Sequence, residues 1–404
     1  SIIGLGLFAL TYSVWGGLSA VAWTDVVQVV ILIFGGMLMT GIALSYVTPS
    51  GGIIDGLSYV YNAVPERFSM ILSKGEIITP DGRDAYFDLP GIAVLIGGMW
   101  IANTYYWGFN QYIIQRTFAA KSLGEAQKGI AFAAFLKLII PIFVVLPGII
   151  AYVINLDPAT GELMKVLPEG FTSSDGKILN DNAAPWLIKN YIPVGIKGLI
   201  LAALAAAIVS SLASMLNSTS TIFTMDIYKE LINNKAKDSE LVKVGRIVVI
   251  VSLFIAMLIA PMFGNLGQVF QAIQEYTGVV SPGILAVFIM GLFYKKATNN
   301  AAIWGILLSI PVAMYFKIVP KGWIELIPSF AQGLFIGEIP FLHQMGITFL
   351  VTMFIIYVIS YLEGNEDDPK AIKLSGKLFE TKPSFNIPAF AVLIITAMLY
   401  AIFW

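Results

Sequence analysis

The chain has 404 residues with a formal net charge of −1; 57% of them are hydrophobic and only 12% are charged. Soluble domains carry about 25% charged residues, so this composition and a mean hydropathy of +0.82 predict an all-α polytopic membrane protein. The sequence has no cysteine and one histidine, His343, which excludes disulfides, thiolate chemistry and histidine-cluster metal sites. It also lacks a basic arm for nucleic acid and a GxxxxGK[ST] phosphate loop, so we expect no nucleic-acid partner and no ATP-driven pump.

Apolar segments long enough to cross a bilayer recur along the whole chain and indicate about ten spans in one transmembrane domain, 1–404. Ser1 lies inside an apolar run, so we expect the natural N-terminus to lie further upstream. The predicted spans are 2–19, 22–46, 90–111, 128–154, 194–216, 241–262, 266–294, 299–317, 342–362 and 386–403.

Basic residues orient these spans. They cluster in the connections after the third, fifth, seventh and ninth spans, and include Arg116, Lys229, Lys296 and Lys377. Cytoplasmic connections carry an excess of lysine and arginine. We therefore expect those four connections to be cytoplasmic and both ends of the chain to lie outside.

The second span begins with Asp25, in the stretch AWTDVVQVV. A threonine or aspartate at this position commonly caps the start of a helix, and the pattern favours a cap formed by Thr24 or Asp25. The functional alternative is a carboxylate on a cation pathway, because ionisable groups at membrane depth mark such pathways.

The third span contains the polar stretch WIANTYYWGFNQ, 100–111. Glycines flank its amides, among them Gly98 and Gly108, and predict a locally unwound helix that faces protein or a water-filled cavity. Asn103 is then a hydrogen-bonding group for a polar solute, and Tyr106, three residues later, shares its face. An aromatic belt with interhelical hydrogen bonds is an equally open explanation.

The fourth span carries Lys137 in the stretch AFAAFLKLIIPIF. A lysine at this depth reaches the cytoplasmic interface by extending its side chain, and the sequence alone favours that explanation. The functional alternative is a hydrogen-bond donor to solute hydroxyls in a central cavity.

The fifth span, GLILAALAAAIVSSLASMLNSTS, has a stripe of small residues at helical spacing. Such stripes allow close packing of helices. Adjacent serines, together with carbonyl groups of a neighbouring broken helix, also supply the oxygen ligands that a dehydrated Na⁺ requires. The two interpretations are compatible. The stripe consists of Ala203, Ala207, Ser210, Ser211 and Ser214.

The seventh span places three glutamines three residues apart, Gln268, Gln271 and Gln274. Three amides on one face exceed what helix packing requires, and they indicate a polar solute site. Phe270, one turn before Gln274, is a candidate apolar lid over that solute. Pro282 is expected to break or kink the span.

Three long stretches carry a resemblance to a known family: NTYYWGFNQYIIQRTFAAKS, AALAAAIVSSLASMLNSTSTIFTMDIYKE and IQEYTGVVSPGILAVF. They closely resemble the solute:sodium symporters, and within them the bacterial sodium/galactose transporters. The similarity extends over nearly the whole chain, with an apparent insertion in the loop 47–89. It implies a LeuT-type bundle of five-plus-five inverted repeats, here mainly the second repeat plus C-terminal helices.

The resemblance implies roles for five residues around a sugar. Asn103, Lys137 and Gln274 match sugar-hydroxyl ligands. Tyr106 resembles the inner gate that stacks on the pyranose ring, and Phe270 resembles part of the outer hydrophobic gate.

The resemblance also implies a path for sodium. Ala207, through its carbonyl, and Ser210 and Ser211, through their side-chain oxygens, match one half of the family's sodium site. Asp25 matches a carboxylate on the sodium exit route. The first span here corresponds to the family's fourth core helix, so the other half of the sodium site and further sugar ligands are expected upstream of Ser1.

The function implied is sodium-coupled symport of a galactose- or glucose-like sugar into the cell, across a bacterial inner membrane, with no enzymatic step. The nearest alternative keeps the fold and changes the solute to proline, sialate, pantothenate or iodide. A sugar sensor or a sodium leak is a further alternative. A membrane-embedded enzyme would need a nucleophile–base pair or a metal cluster at depth, and the sequence contains neither.

Overall fold

The computed structural model describes residues 2–79, 82–88, 91–172, 178–263, 269–318, 339–364 and 366–404. Three isolated β-bridges lie in the loops, joining Ile78 to Asp84, Leu156 to Leu163 and Thr172 to Ile178. Every long element in the described part of the chain is a helix, as the composition predicts.

Fourteen α-helices are assigned within the described ranges, together with two π-helical segments, Tyr105–Phe109 and Phe223–Ile232. Eight helical segments of this part of the chain are long and apolar enough to cross a membrane. In chain order the α-helices are α1 (Ile2–Ser45), α2 (Ile53–Ala63), α3 (Ala93–Ile96), α4 (Met99–Thr104), α5 (Gln111–Phe118), α6 (Leu123–Val144), α7 (Leu146–Ile154), α8 (Ala183–Tyr191), α9 (Val194–Ile222), α10 (Asp238–Ile259), α11 (Val269–Phe293), α12 (Asn299–Ile318), α13 (Phe341–Leu362) and α14 (Pro383–Ile402).

The first two predicted spans, 2–19 and 22–46, are one continuous helix in the structure, α1, with 44 residues. At 1.5 Å per residue this helix is about 66 Å long, roughly twice the thickness of a bilayer's hydrocarbon core. Glycines and small residues between the two apolar halves do not stop a helix as a proline would. The predicted boundary near residue 20 is therefore wrong as a helix end.

The described chain divides into two compact units. The first consists of Ser1–Phe68, Gln111–Val269 and Ser384–Thr396. Here α1 packs along α9 through small side chains, and an added Cβ at Gly35 would lie 3.0 Å from Ala203 Cβ. This contact confirms the close packing that the small-residue stripe predicts.

The second unit consists of Ser69–Asn110, Phe270–Pro383 and Ala397–Trp404. Its core joins α4, α11 and α13 through buried side chains that include Ile101, Leu285 and Phe349. Gly98 starts α4 directly against α13, because an added Cβ would lie 1.9 Å from the carbonyl oxygen of Leu342. Only glycine allows two backbones to approach so closely.

The predicted interruption of the third span is confirmed. Helix α3 ends at Ile96, a turn at residues 97–98 follows, and α4 ends at Thr104. A π-helical turn then leads to Asn110, whose backbone is extended with ψ of 116°. Such π-turns are frequent at functional sites.

The seventh span is less broken than predicted. Helix α11 continues through Pro282 to Phe293, so the predicted break at the proline does not occur. A proline inside a membrane helix is tolerated where neighbouring groups satisfy the backbone. Gln268, the first of the three predicted glutamines, lies outside the described residues.

Candidate functional site

A buried ion pair joins α1 to α5 in the first unit. Arg116 Nε donates to Asp25 Oδ2 at 2.8 Å, and Arg116 Nη2 donates to the same oxygen. The side chain of Asp25 is 12% exposed and that of Arg116 is 32% exposed. A carboxylate this deeply buried needs a partner, and the fork of an arginine supplies two donors.

Two serines of α9 complete the contacts of this pair. Ser210 Oγ donates to the other carboxylate oxygen, Asp25 Oδ1. Arg116 Nη2 also donates to Ser214 Oγ, and Ser214 Oγ in turn donates to the Ser210 carbonyl at 2.9 Å. Ser214 is fully buried. Residues of α1, α5 and α9 are thus held together by one polar network.

Amides extend the network along α9. Gln115 Nε2 donates to the Ser214 carbonyl at 3.2 Å, and Asn217 Nδ2 donates to Gln115 Oε1 at 2.9 Å. Gln115 is buried, at 5% exposure. Both ends of its amide are therefore satisfied, as a buried polar side chain requires.

The position of Asp25 excludes the predicted helix cap. Asp25 lies in the interior of the continuous helix α1, so neither Asp25 nor Thr24 starts a helix there. The hydroxyl of Thr24 donates instead to the Val21 carbonyl of its own helix, at 2.9 Å. The role of Asp25 as a carboxylate on a sodium route stays a prediction.

The three predicted sodium ligands lie on α9 at positions i, i+3 and i+4, and therefore share one face. Ala207 and Ser210 are half-buried and Ser211 is exposed. Helix α9 is unbroken from Val194 to Ile222, so the Ala207 carbonyl offers a cation only the lone pair that its helix bond leaves. Gln28, one turn after Asp25, has a buried Oε1 with no hydrogen-bond partner.

The oxygen chemistry of this region fits an alkali cation. Hydroxyl, carbonyl and amide oxygens are the donors that hard cations prefer, and an orphaned buried acceptor calls for a water or a cation. The oxygens of α9 alone are few for an ion that has lost its water. The assignment of Ala207, Ser210 and Ser211 to sodium stays a prediction.

The predicted sugar ligands of the third span lie in the second unit. Asn103 is half-buried, and its Nδ2 donates to the Met99 carbonyl of α4 at 3.0 Å. Tyr106 is half-buried in the π-turn, and its ring stands edge-on to Trp107 with centroids 5.6 Å apart. Asn103 thus lies at the end of α4 and Tyr106 in the π-turn that follows it.

The remaining predicted residues of the second unit lie near the start of α11. Phe270 is 73% exposed and Gln274 is half-buried one turn later; their roles as gate and sugar ligand stay predictions. Gln271 Nε2 donates to Asp88 Oδ1 at 3.3 Å. Lys137 belongs to the first unit, where it is exposed on α6.

A cavity of about 280 Å³ lies within the second unit. An ion pair lines it, with Lys317 Nζ 3.3 Å from Glu275 Oε2. Lys317 Nζ also lies 3.9 Å from the centre of the Tyr276 ring. Gln274, the predicted sugar ligand, is absent from the described lining.

The sequence did not predict that Arg116 lies at the centre of the first unit's polar network. From the sequence, Arg116 was predicted only as one of the cytoplasmic positive charges, and no role was predicted for Gln115 or Asn217. The sequence signal for this network is the adjacent pair Gln115 and Arg116 directly after the interrupted third span, in a chain that also has a serine-rich span. What the sequence does not contain is the pairing of Arg116 with Asp25, 91 positions away.

The chain matches the model of the sodium:solute symporter family over residues 1–309. It is 53% identical over 406 aligned residues to the sodium/glucose cotransporter of Vibrio parahaemolyticus, an alignment that covers all of this chain and 70% of that protein. It is 34% identical to sodium/myo-inositol cotransporter 2 of Homo sapiens, over 76% of this chain and 45% of that protein. It is 31% identical to sodium/glucose cotransporter 1 of Mus musculus, over 88% and 55%.

A solved structure shares the fold. The substrate-bound outward-open state of a Na⁺-coupled sialic acid symporter superposes with a TM-score of 0.67 and 25% identity, over 89% of this chain and 66% of that one. The expected all-α, LeuT-type fold is thereby confirmed. The chain spans between about half and 70% of the length of the curated relatives named above. On the family match and these identities, the chain belongs to the sodium:solute symporter family.

Proposed function

We propose that the protein is a sodium-coupled symporter that carries a galactose- or glucose-like monosaccharide into the cell by alternating access. The observation that carries this proposal is the 53% identity, along the whole chain, to a sodium/glucose cotransporter. We place the protein in a bacterial plasma membrane as a multi-pass protein, and its apolar helices support that location. The relatives named are all cotransporters, and we propose no catalytic step.

Sodium is the proposed coupling ion. We assign its partial site to the oxygens of Ala207, Ser210 and Ser211 on α9, and its release route to the neighbourhood of Asp25. The oxygen-rich face of α9, where Ser210 contacts Asp25, supports this assignment. Each sodium charge that moves inward contributes about 2.3 kcal/mol per 100 mV of membrane potential, which favours accumulation of a coupled solute.

The sugar is proposed to contact Asn103, Lys137 and Gln274, with Tyr106 as the inner gate and Phe270 as part of the outer gate. These side chains offer amides, a phenol ring and one cation, which suit a neutral solute with many hydroxyls. Tyr106 lies in a π-turn, an irregular backbone that is tolerated at membrane depth where it lines a cavity.

A second candidate keeps the mechanism and changes the solute. The human relative is named for myo-inositol and the structural neighbour for sialic acid, and both compounds carry several hydroxyl groups. A polyol or an acidic sugar therefore ranks next after galactose and glucose. Competition against labelled galactose by myo-inositol and by sialic acid separates these solutes.

The test is uptake of labelled galactose into proteoliposomes that contain the full-length protein. We expect uptake that requires Na⁺ and stops when choline replaces it; uptake that is unchanged in choline would contradict symport. Gln274→Ala and Asn103→Ala are each expected to raise the KM for galactose about tenfold or more, since a polar site loses a partner for a sugar hydroxyl. Normal transport by either variant would contradict the sugar site.

A further inference from the structure

The hydroxyl of Ser210 forms its hydrogen bond with another helix. A serine inside a helix usually donates to the carbonyl four residues earlier, and Ser214 does so, to Ser210. Ser210 instead donates across to Asp25 Oδ1 on α1. A hydroxyl that donates its proton keeps both lone pairs, so Ser210 Oγ can still act as a ligand while its bond to Asp25 sets its orientation.

Asp25 in turn is held from the other side. Arg116 donates to Asp25 Oδ2 through Nε, at 2.8 Å, and through Nη2, so the two carboxylate oxygens serve two different partners. Arg116 is anchored as well, since its Nη1 donates to the Tyr112 carbonyl at 3.3 Å and its Nη2 to Ser214 Oγ. Asp25 therefore accepts hydrogen bonds from Arg116 on one side and from Ser210 on the other.

This order matches the way proteins orient metal ligands. A carboxylate that accepts the proton of a ligand fixes the direction of its lone pairs and raises its basicity. A group that holds the carboxylate therefore orients the ligand indirectly. Arg116 holds Asp25, and Asp25 accepts the hydrogen bond of Ser210.

We propose that Arg116 is a positioning residue for sodium, which acts through Asp25 on the hydroxyl of Ser210. The proposal rests on the proposed role of Ser210 as a sodium ligand. It differs from a purely electrostatic role of Arg116, in which the guanidinium only neutralises Asp25 and repels an approaching cation. The two roles predict opposite signs when the charge of Arg116 is removed.

The first experiment measures equilibrium binding of ²²Na⁺ to the purified full-length protein in detergent, without sugar. We expect Arg116→Gln to raise the Kd for Na⁺ about tenfold, because Asp25 then loses its fixed orientation and no longer holds the Ser210 hydroxyl in one direction. An unchanged Kd, or a lower one, would overturn the proposal. Lys128→Gln is the control, since it removes a cation from an exposed ion pair with Glu125 (2.9 Å) in the same unit and is expected to leave the Kd unchanged.

A second comparison covers the case in which Arg116→Gln does not fold. Asp25→Asn leaves the guanidinium of Arg116 without its carboxylate, whereas the double variant Asp25→Asn/Arg116→Gln removes both charges of the pair. If Arg116 acts through Asp25, both variants have the same raised Kd. A Kd of the double variant that clearly differs from the Kd of Asp25→Asn would show that Arg116 acts independently of Asp25 and would overturn the proposal.

A third readout separates positioning from general damage. The variant is Arg116→Lys, which keeps the positive charge but not the fork of the guanidinium. We expect its Kd for Na⁺ to rise. Its KM for galactose, measured at saturating Na⁺, is expected to stay within about twofold of that of the unaltered protein. Equal changes in both constants would contradict positioning. Absence of saturable ²²Na⁺ binding to the unaltered protein would instead contradict the proposed function itself.

Discussion

The two units handle buried polar groups in different ways. In the first, Asp25, Arg116, Ser210 and Ser214 satisfy one another across three helices. In the second, Asn103 bonds within its own helix and lies beside an irregular turn, and close backbone contacts such as that of Gly98 hold the helices together. The first unit thus joins separate helices through side chains, whereas the second joins them through close backbone contacts.

The largest effect is expected from Gly98→Ala, which tests the backbone contact of the second unit. The new Cβ would lie 1.9 Å from the Leu342 carbonyl oxygen, and neither backbone atom moves without displacing its helix. We expect a loss of about 3 kcal/mol in the free energy of unfolding, measured by chemical denaturation in micelles. Gly108→Ala, which meets no atom within 4 Å, is the control, and an equal loss in both variants would contradict the account.

The next largest effect is expected from Asp25→Ala, which breaks the network of the first unit. It leaves the guanidinium of Arg116 without its carboxylate. Loss of one partner from a buried pair costs about 3–5 kcal/mol. Because the Arg116 side chain is 32% exposed, we expect about 2 kcal/mol. Glu125→Ala in the exposed pair with Lys128 is expected to leave the same free energy nearly unchanged, because exposed ion pairs contribute little; a loss comparable to that of Asp25→Ala would refute the distinction.

A smaller effect is expected from Gln115→Leu, which tests whether the amides belong to the network. Asn217 Nδ2 then loses its acceptor; a buried group without a partner costs about 1–3 kcal/mol, and because Asn217 is only half-buried we expect a loss of about 1 kcal/mol. The double variant Gln115→Leu/Asn217→Leu should recover part of that loss, because it removes both polar partners. Losses in the two single variants that simply add in the double would show that the two side chains are not coupled.

The smallest effect is expected from Glu363, at the end of α13 in the second unit. Hydrogen bonds from Thr298 and then from Asn300 lower the pKa of this exposed carboxyl below its usual value of 4.5. A carboxyl whose pKa is lower in the folded protein stabilises it above the unfolded value, and this contribution is lost as the pH falls through the folded pKa. Glu363→Gln should therefore flatten the pH dependence of stability below pH 4.5 and have little effect on its shape at neutral pH.

Much of the fold follows from the sequence because hydropathy and glycine placement are local signals. The apolar helices were predictable from hydropathy, and the interruption before Asn103 from the glycines that flank it, among them Gly98. The continuity of α1 was not predictable, because two adjacent glycines alone do not decide between a turn and a continuous helix. The continuity of α11 through Pro282 depends on tertiary contacts in the same way.

The candidate site was predictable only in part. The oxygen-bearing face of α9 is visible as a serine stripe, and the family resemblance adds roles to Ser210 and Ser211. The partner of Asp25 was not predictable, because a pair 91 positions apart along the chain leaves no mark in local spacing. Arg116 looked like an ordinary cytoplasmic positive charge until the structure placed it on Asp25.

The central claim is that sodium and sugar move together. It is tested most directly in proteoliposomes that contain the full-length protein, with equal Na⁺ on both sides and galactose outside only. Coupling is reciprocal, so we predict that the inward galactose gradient drives ²²Na⁺ uptake above its equilibrium level until the sugar equilibrates. Galactose entry with no accompanying movement of ²²Na⁺ would contradict the account.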